Sequence, residues 1–430
     1  MQPGEIIMSN IDSISRERKK NQLRQQMVGY RNINGSADPE EDSEEVISRA
    51  LKRLNRRRLT VVGSIVLLLF LGIFGFYQYQ KHYQFTDYKV SWEITMPEGS
   101  FVGYEYFGNN VLKYSKDGVS YTDNQGNTIW TQSYEMKAPI VSAKGDYIAI
   151  ADQRGNSIYI FGKDGLLGTA STVLPISKVA IAGTGVVAAM QEEATASYIM
   201  FFDRDGRKID TSVKSLMGSN GYPVDFSLSQ DGTQLLCSFV HLENGEMKSR
   251  VVFYDFSEIG KNDSNRLVGG FNNENFNGRI VARVHYLSEP YSCAFTGDSL
   301  TFFSSKNLAS PELVKQIAIE EEIQSILYSE EYAGVIVKTA KGESPNRMDI
   351  YRKNGDLVLS QEFDYEYVQA DIDGDLIFLY NEESCKVYSM SGIEKLTANF
   401  DFTVSKIHKG RFPNTLIVAG PGEMKEIKMQ

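Results

Sequence analysis

The feature that most restricts the fold of this chain is a repeat of short strands in residues 85–430. These strands alternate apolar and polar side chains, are rich in Val, Ile, Tyr and Phe, and have no long amphipathic helix between them. Many short strands joined by hairpins predict a sandwich, a barrel or a propeller. Glycine supplies the positive φ angles of tight hairpins, and the turns contain the dipeptides Asp117-Gly118, Asp164-Gly165, Asp205-Gly206, Asp231-Gly232, Asn354-Gly355 and Asp373-Gly374.

The spacing of the repeat decides between these folds. Units aligned on their first strand begin at Phe101, Pro139, Lys178, Pro223, Arg279, Ile323, Tyr365 and Val404. The mean spacing of about 43 residues matches the four-stranded blade of a β-propeller. The segment from Asp225 to Gly232, with Leu235 opening the next strand, resembles the first hairpin of WD40-like and TolB-like propeller blades.

The two ends of the repeat predict how the ring closes. The strand around Trp92 has no blade before it, whereas three strands and no fourth follow Val404. An N-terminal strand that completes the C-terminal blade leaves no unpaired edge in the ring. Trp92 and Trp130 each lie nine residues before a unit, which places both on outermost strands. We therefore expect an all-β propeller of eight four-stranded blades. Seven is the alternative, because the unit that begins at Pro223 is unusually long.

One uncharged segment, residues 59–80, precedes the repeat and predicts a transmembrane α-helix. At about 1.5 Å per residue it reaches about 33 Å, which suffices to cross a hydrocarbon core of about 30 Å. Arg56, Arg57 and Arg58 stand directly before it, whereas only Lys81 is close behind. This charge bias predicts a cytoplasmic N-terminus and an extracytoplasmic domain over residues 85–430. The apolar run is too long, and too far into the chain, for a cleaved signal peptide.

The predicted cytoplasmic part divides into two segments. Residues 1–41 are polar without apolar periodicity, which predicts a disordered tail. Residues 42–58 carry Val46, Ala50, Leu51 and Leu54 at helical spacing and end in arginines, which predicts a basic juxtamembrane helix.

The charge and cysteine content narrow the function classes. Residues 1–58 hold 12 Lys/Arg and 9 Asp/Glu, a net charge of +3, which leaves −13 on the rest of the chain. An exported domain this acidic disfavours nucleic acid as a partner. Three cysteines do not make a disulfide framework. Cys237, Cys293 and Cys385 are expected as buried thiols, with a single Cys237–Cys293 bridge left open.

These features together resemble an uncharacterised family of single-pass, WD40-like propeller proteins of the Gram-positive cell envelope. The resemblance rests on the basic tail, the single helix and a cysteine-poor propeller that begins Asp87-Tyr88-Lys89-Val90-Ser91-Trp92. It implies the fold and an envelope location. It implies no activity, and no catalytic residue is carried over.

The search for chemistry yields one weak metal candidate and no catalytic or cofactor site. Asp371, Asp373 and Asp375, with Glu382 at position 12 of the same count, match the ligand spacing of a calcium-binding EF-hand loop. Leu376 stands where that loop needs glycine, and the strand after it separates Glu382 from the aspartates. A plain acidic hairpin is therefore the favoured interpretation. The histidines show no metal-ligand spacing, and we expect surface or loop positions for His82, His241 and His408 and a strand position for His285.

Three functions remain as hypotheses. The first is a membrane-anchored binding or scaffold module for a protein or a cell-wall polymer, because a rigid ring displays variable loops. The second is a single-pass sensor that relays exported-side binding to the cytoplasmic tail. The third is a propeller enzyme of the quinone-cofactor or hydrolase type, which the two tryptophans and the lack of adjacent cysteines disfavour.

Overall fold

The structure is a computed structural model that describes residues 18, 20–22 and 41–430, apart from 96–100, 108–109, 124, 277 and 341. It divides into two units, Met1–Tyr79 and Gln80–Gln430. The first contains most of one helix, α1 (Glu41–His82), so the predicted segments 42–58 and 59–80 follow each other without a break. Within α1, Leu59–Tyr79 is long and apolar enough to cross a membrane. Almost all of the predicted disordered tail, residues 1–41, lies outside the described residues.

The second unit is an eight-bladed propeller, which confirms the predicted fold and excludes the seven-bladed alternative. Each blade is a four-stranded antiparallel sheet. In blades 1–4 the strands run in chain order from the innermost to the outermost: Phe101–Phe107 (β2), Asn110–Ser115 (β3), Gly118–Thr122 (β4), Thr128–Ser133 (β5); Pro139–Lys144 (β6), Tyr147–Asp152 (β7), Ser157–Gly162 (β8), Gly165–Ser171 (β9); Ile176–Ile181 (β10), Val187–Glu192 (β11), Ala196–Phe202 (β12), Lys208–Leu216 (β13); Tyr222–Leu228 (β14), Gln234–Glu243 (β15), Glu246–Asp255 (β16), Leu267–Phe271 (β17).

Blades 5–7 repeat this order, and blade 8 is composite. Its first three strands come from the C-terminus, and its outermost strand, β1 (Tyr88–Thr95), comes from the N-terminal end of the ring. The remaining strands are Arg283–Tyr286 (β18), Tyr291–Phe295 (β19), Ser299–Ser304 (β20), Glu312–Ala318 (β21); Glu322–Tyr328 (β22), Tyr332–Lys338 (β23), Asn346–Arg352 (β24), Leu357–Phe363 (β25); Gln369–Asp373 (β26), Leu376–Tyr380 (β27), Ser384–Ser389 (β28), Glu394–Asn399 (β29); and Lys406–Lys409 (β30), Thr415–Ala419 (β31), Glu423–Met429 (β32).

The closing strand pairs along its whole length. β1 runs antiparallel to β32 from Tyr88 opposite Met429 to Thr95 opposite Glu423, with one irregularity between Val90 and Trp92. The backbone N–H groups of Thr86 and Asp87 also donate to the carbonyl of Gln430. The predicted closure is therefore confirmed, and Trp92 and Trp130 lie on outermost strands, β1 and β5.

The core consists of apolar wedges between neighbouring blades rather than one central mass. The described residues form eight such clusters, one at each blade-to-blade interface. The wedge between blades 7 and 8, for example, buries Phe378, Leu396, Leu416 and Ile427. Each fully buried side chain of this size contributes about 1.5–3 kcal/mol. Every blade packs against both of its neighbours, so closure of the ring completes the core.

One local feature explains the long unit that the sequence predicts, and another corrects the role expected of a turn glycine. The long unit at Pro223 arises within blade 4, where β15 and β16 form a long hairpin and the connections around β17 add 3-10 helices at Gly260–Asn262, Ser264–Arg266 and Asn273–Phe276. Gly118 is absent from the glycines with positive φ, unlike Gly232 at 78°. It is required for close approach instead, because a Cβ there would lie 2.6 Å from the Gln132 carbonyl oxygen.

The closure makes the covalent link between β1 and β2 dispensable. We expect a full-length chain cut at a protease site engineered within residues 96–100 to keep its N-terminal fragment, because seven residue pairs join β1 to β32. Co-elution of both fragments in detergent, and their separation in denaturant, is the measurement. Release of the N-terminal fragment under native conditions would contradict the closure.

Candidate functional site

The innermost strands of the eight blades line a central channel, and the side chains that could do chemistry gather there. All eight innermost strands point the same way along the axis of the ring, as in other propellers. We call the face at which they begin the upper face and the face at which they end the lower face. The upper face carries the connections between blades and the turns between second and third strands. Variable functional residues commonly occupy such loops.

A cavity of about 760 Å³ opens among blades 2–5. It is lined by the beginnings of the innermost strands β6, β10, β14 and β18 and by the loops beside them, so it belongs to the upper face. Its size is within the range of small-molecule sites. Its apolar wall consists of Ile140, Val141, Pro175, Ile176, Val179, Met190, Val224 and Ala282.

Three charged side chains from three consecutive blades meet in this cavity. Lys178 of β10 and Arg283 of β18 both approach the same oxygen of Asp225 on β14, Lys178 in direct contact and Arg283 Nη1 at 3.6 Å. The other Asp225 oxygen accepts a hydrogen bond from the backbone N–H of Val284 at 2.8 Å. Burial lowers the pKa of Lys178, and the neighbouring positive charge of Arg283 acts in the same direction.

The two cations are more exposed than the carboxylate that they contact, and this difference affects the charge of the cavity surface. The side chain of Asp225 is 2% exposed, whereas those of Lys178 and Arg283 are 27% and 45% exposed. A second anion, Glu192, accepts a hydrogen bond from the Tyr222 hydroxyl at 2.5 Å. Arg154, which also lines the cavity, is exposed and forms no ion pair with the residues that the structure describes. Lys178 and Arg283 are therefore more accessible from the cavity than the carboxylate of Asp225, which they contact.

Further basic groups lie on the same side of the channel. Lys144, on β6, donates to the Leu228 carbonyl at 2.7 Å, and burial lowers its pKa to about 8. His285, on β18, packs against Tyr328 with ring centroids 4.3 Å apart. Burial, aided by the charges of Lys144, Lys178 and Arg283, lowers the pKa of His285 to about 3, so its imidazole is neutral at physiological pH.

The opposite side of the channel contains the predicted calcium candidate. Asp371 and Asp373 lie on β26 and Asp375 follows it, and each carboxylate contacts a side chain of β30 in the next blade. The pairs are Asp371 with Lys406 at 3.0 Å, Asp373 with His408, and Asp375 with Lys409 at 2.5 Å. Strand β27 separates Glu382 from the aspartates, as the sequence predicts. These interactions join blades 7 and 8 without a metal ion.

His408 is not at a surface or loop position, so that expectation is wrong. It lies on the innermost strand β30 and stacks on Tyr106 of blade 1, with ring centroids 3.5 Å apart. Closure of the ring brings these two distant residues together. Glu105, beside Tyr106, faces the same cluster. Burial raises the pKa of Glu105, although the charge of Lys406 opposes this shift.

The cysteines are buried and free, as expected, and the Cys237–Cys293 bridge is not formed. Cys237 belongs to the wedge between blades 3 and 4, and Cys293 to the wedge between blades 5 and 6, so they cannot meet. Sequence reasoning missed the cluster of Lys178, Asp225 and Arg283. The available signal was a charged residue in the first strand of several units, where a core strand would otherwise be apolar.

Glu105 provides a test of the electrostatics of the channel. Its pKa is raised in the folded state, so ionisation above the usual glutamate pKa of about 4.5 opposes folding. We expect Glu105→Gln to raise the melting temperature at pH 7, with the gain shrinking towards pH 4. The matched control is Glu243→Gln, because the ion pair with Lys248 lowers the pKa of Glu243 and the sign should reverse. An unchanged or lower melting temperature of Glu105→Gln at pH 7 would refute this assignment.

Calcium binding at Asp371, Asp373 and Asp375 stays a prediction that calorimetry can test. Because each carboxylate already has a partner on β30, we expect no saturable heat when millimolar calcium is added to the full chain in detergent. Saturable heat that disappears in Asp373→Asn would instead establish a calcium site.

Comparison with known proteins supports the architecture. Sqt1 from Chaetomium thermophilum is 10% identical with a TM-score of 0.53, over 80% of this chain and 100% of that one. AztD from Citrobacter koseri is 9% identical with a TM-score of 0.50, over 74% and 91% of the two chains. At these identities the likeness shows the fold alone. A search of curated proteins found no significant match. The family of unknown function DUF5711 matches residues 81–429, and the chain belongs to this family.

Proposed function

We propose that the protein is a membrane-anchored binding module of the cell envelope. Residues 59–80 would anchor it with the N-terminus in the cytoplasm, and the exported ring would bind a protein or a wall polymer through its upper face. The observation that carries the proposal is the cavity of about 760 Å³ on that face, which is lined by partly exposed cations together with apolar side chains. Concave sites that combine apolar side chains with a few convergent polar groups are typical of ligand binding.

The strand order supports the choice of the upper face. β30 begins at the upper face, and β31, β32 and β1 follow it in alternating directions. β1 therefore begins at the lower face, and the chain joins the ring there. The cavity opens on the face opposite to this junction.

A long hairpin gives the upper face an additional contact surface. The turn between β15 and β16 lies on this face, and it carries Leu242 and Met247 opposite each other, 72% and 53% exposed. The hairpin is held in place by Arg250, whose guanidinium donates to the Asn220 carbonyl at 2.7 Å. Exposed apolar side chains on a rigid element are typical of interaction sites.

A second function, the sensor, is supported by a contact just before β1. The backbone N–H of Phe85 donates to the Lys395 carbonyl at 2.9 Å, and the Lys395 ammonium donates to the Tyr83 carbonyl at 2.5 Å. The ammonium also lies 4.7 Å from the centre of the Phe85 ring. Residues 83–85 are thus fixed to blade 7, as a relay of motion from the ring would require. The enzyme hypothesis rests on the fold alone.

The binding proposal predicts that the upper face is needed to capture a partner. We expect full-length protein in detergent to recover a partner from solubilised envelopes. The double variant Leu242→Ser, Met247→Ser should lower that recovery about tenfold, since central apolar contacts carry much of the energy of an interface. Leu357→Ser is the matched control, because Leu357 is an exposed leucine at the start of an outermost strand. Equal recovery by all three proteins would refute the upper face as the binding face.

A further inference from the structure

The cavity on the upper face is a site for an organic anion, and we infer that its ligand carries a carboxylate or phosphate group on an apolar body. This inference rests on the proposed binding function and names the chemical class of the ligand. It follows from the position of three cations, Arg154, Lys178 and Arg283, in a cavity that is also lined by apolar side chains.

The carboxylates in the cavity do not cancel these cations towards a ligand. Asp225 is almost fully buried, and its two oxygens are taken by Lys178, Arg283 and the backbone N–H of Val284. Its one negative charge faces two cations that are both more exposed than it is. A group that enters from the upper face therefore meets the Lys178 ammonium and the Arg283 guanidinium before it meets the Asp225 carboxylate.

The second acidic side chain in the cavity, Glu192, is hydrogen-bonded to a neutral group. The Glu192 carboxylate accepts a hydrogen bond from the Tyr222 hydroxyl. Arg154, which also lines the cavity, forms no ion pair within the described part of the chain. The three cations and two carboxylates leave a net charge of +1 at the site when Lys178 is protonated, as its contact with Asp225 favours. This excess is located in a domain with a net charge of −13, so the fold concentrates positive charge against the sign of its surroundings.

The geometry also restricts the rest of the ligand. Arginine side chains bind carboxylate and phosphate oxygens through paired N–H groups, so Arg154 and Arg283 suit a planar or tetrahedral oxyanion. Five of the eight apolar lining residues are partly or fully exposed and are available to contact a compact apolar body: Ile140, Val141, Pro175, Val224 and Ala282. Inorganic ions alone would leave most of the cavity unfilled, and a neutral ligand would leave the excess positive charge uncompensated.

The test compares three probes by calorimetry on the full chain in an uncharged detergent. N-acetyl-leucine carries the carboxylate, phenyl phosphate carries the phosphate, and N-acetyl-leucinamide has the same body as the first probe without its charge. We expect saturable binding of at least one anion and at least about tenfold weaker binding of the amide. The anion that binds more tightly identifies the head group.

Two variants test whether the anion binds in the cavity. Arg154→Gln and Arg283→Gln should each weaken binding of the anion about tenfold, because each removes a charged donor. Arg207→Gln is the matched control, since Arg207 is an exposed arginine in the turn between β12 and β13, outside the cavity. Melting temperatures of all variants separate lost binding from lost folding. Lys178 is left intact because it neutralises the buried Asp225.

Several results would overturn the inference: no anion binding at millimolar concentration, equal binding of the amide, or anion binding unaffected by either cavity variant. Failure here is distinguishable from failure of the proposed function. If no anion binds but the double variant of Leu242 and Met247 still lowers partner recovery, the binding module stands and the ligand class is wrong.

Discussion

The pairing of β1 with β32 is the interaction on which the rest of the structure depends. Apolar wedges between blades form the core, and each wedge exists only if both of its blades are held in place. Without β1, blade 8 would end at β32 with an unpaired edge, and unpaired edges invite non-native pairing. The closure also brings β30 next to β2, which creates the stack of His408 on Tyr106 and the cluster of charges around it.

Closure of the ring explains why charged side chains occur on the innermost strands, which line the central channel. Eight innermost strands converge on one channel, where apolar side chains cannot interdigitate as they do between blades. Polar groups are tolerated there because neighbouring blades satisfy them: Asp225 of blade 4 is met by blades 3 and 5. Such pairs cost desolvation and add little net stability, but removal of one partner is expensive. They therefore fix the position of one blade against the next.

The sequence predicts the architecture closely because each blade is defined locally. Unit starts placed at Pro223 and Val404 fall within two residues of β14 and β30, since hairpin turns and alternating polarity act over a few residues. The cavity could not be predicted in the same way. Lys178, Asp225 and Arg283 each lie a whole blade apart in the chain, and only the curvature of the ring brings them together. His408 was misplaced for the same reason, because its partner Tyr106 lies at the other end of the repeat.

The two charged clusters of the channel differ in how completely the protein neutralises them. Between blades 7 and 8, Asp371, Asp373 and Asp375 each contact a basic side chain of β30, and these pairs join the two blades. In the cavity, the carboxylates of Asp225 and Glu192 face three cations, Lys178, Arg283 and the exposed Arg154. Arg154 forms no ion pair within the described part of the chain, so it adds nothing to the structural pairing around Asp225. The imbalance is explained if the missing counter-charge belongs to a ligand, and this distinguishes the cavity from the other polar sites of the ring.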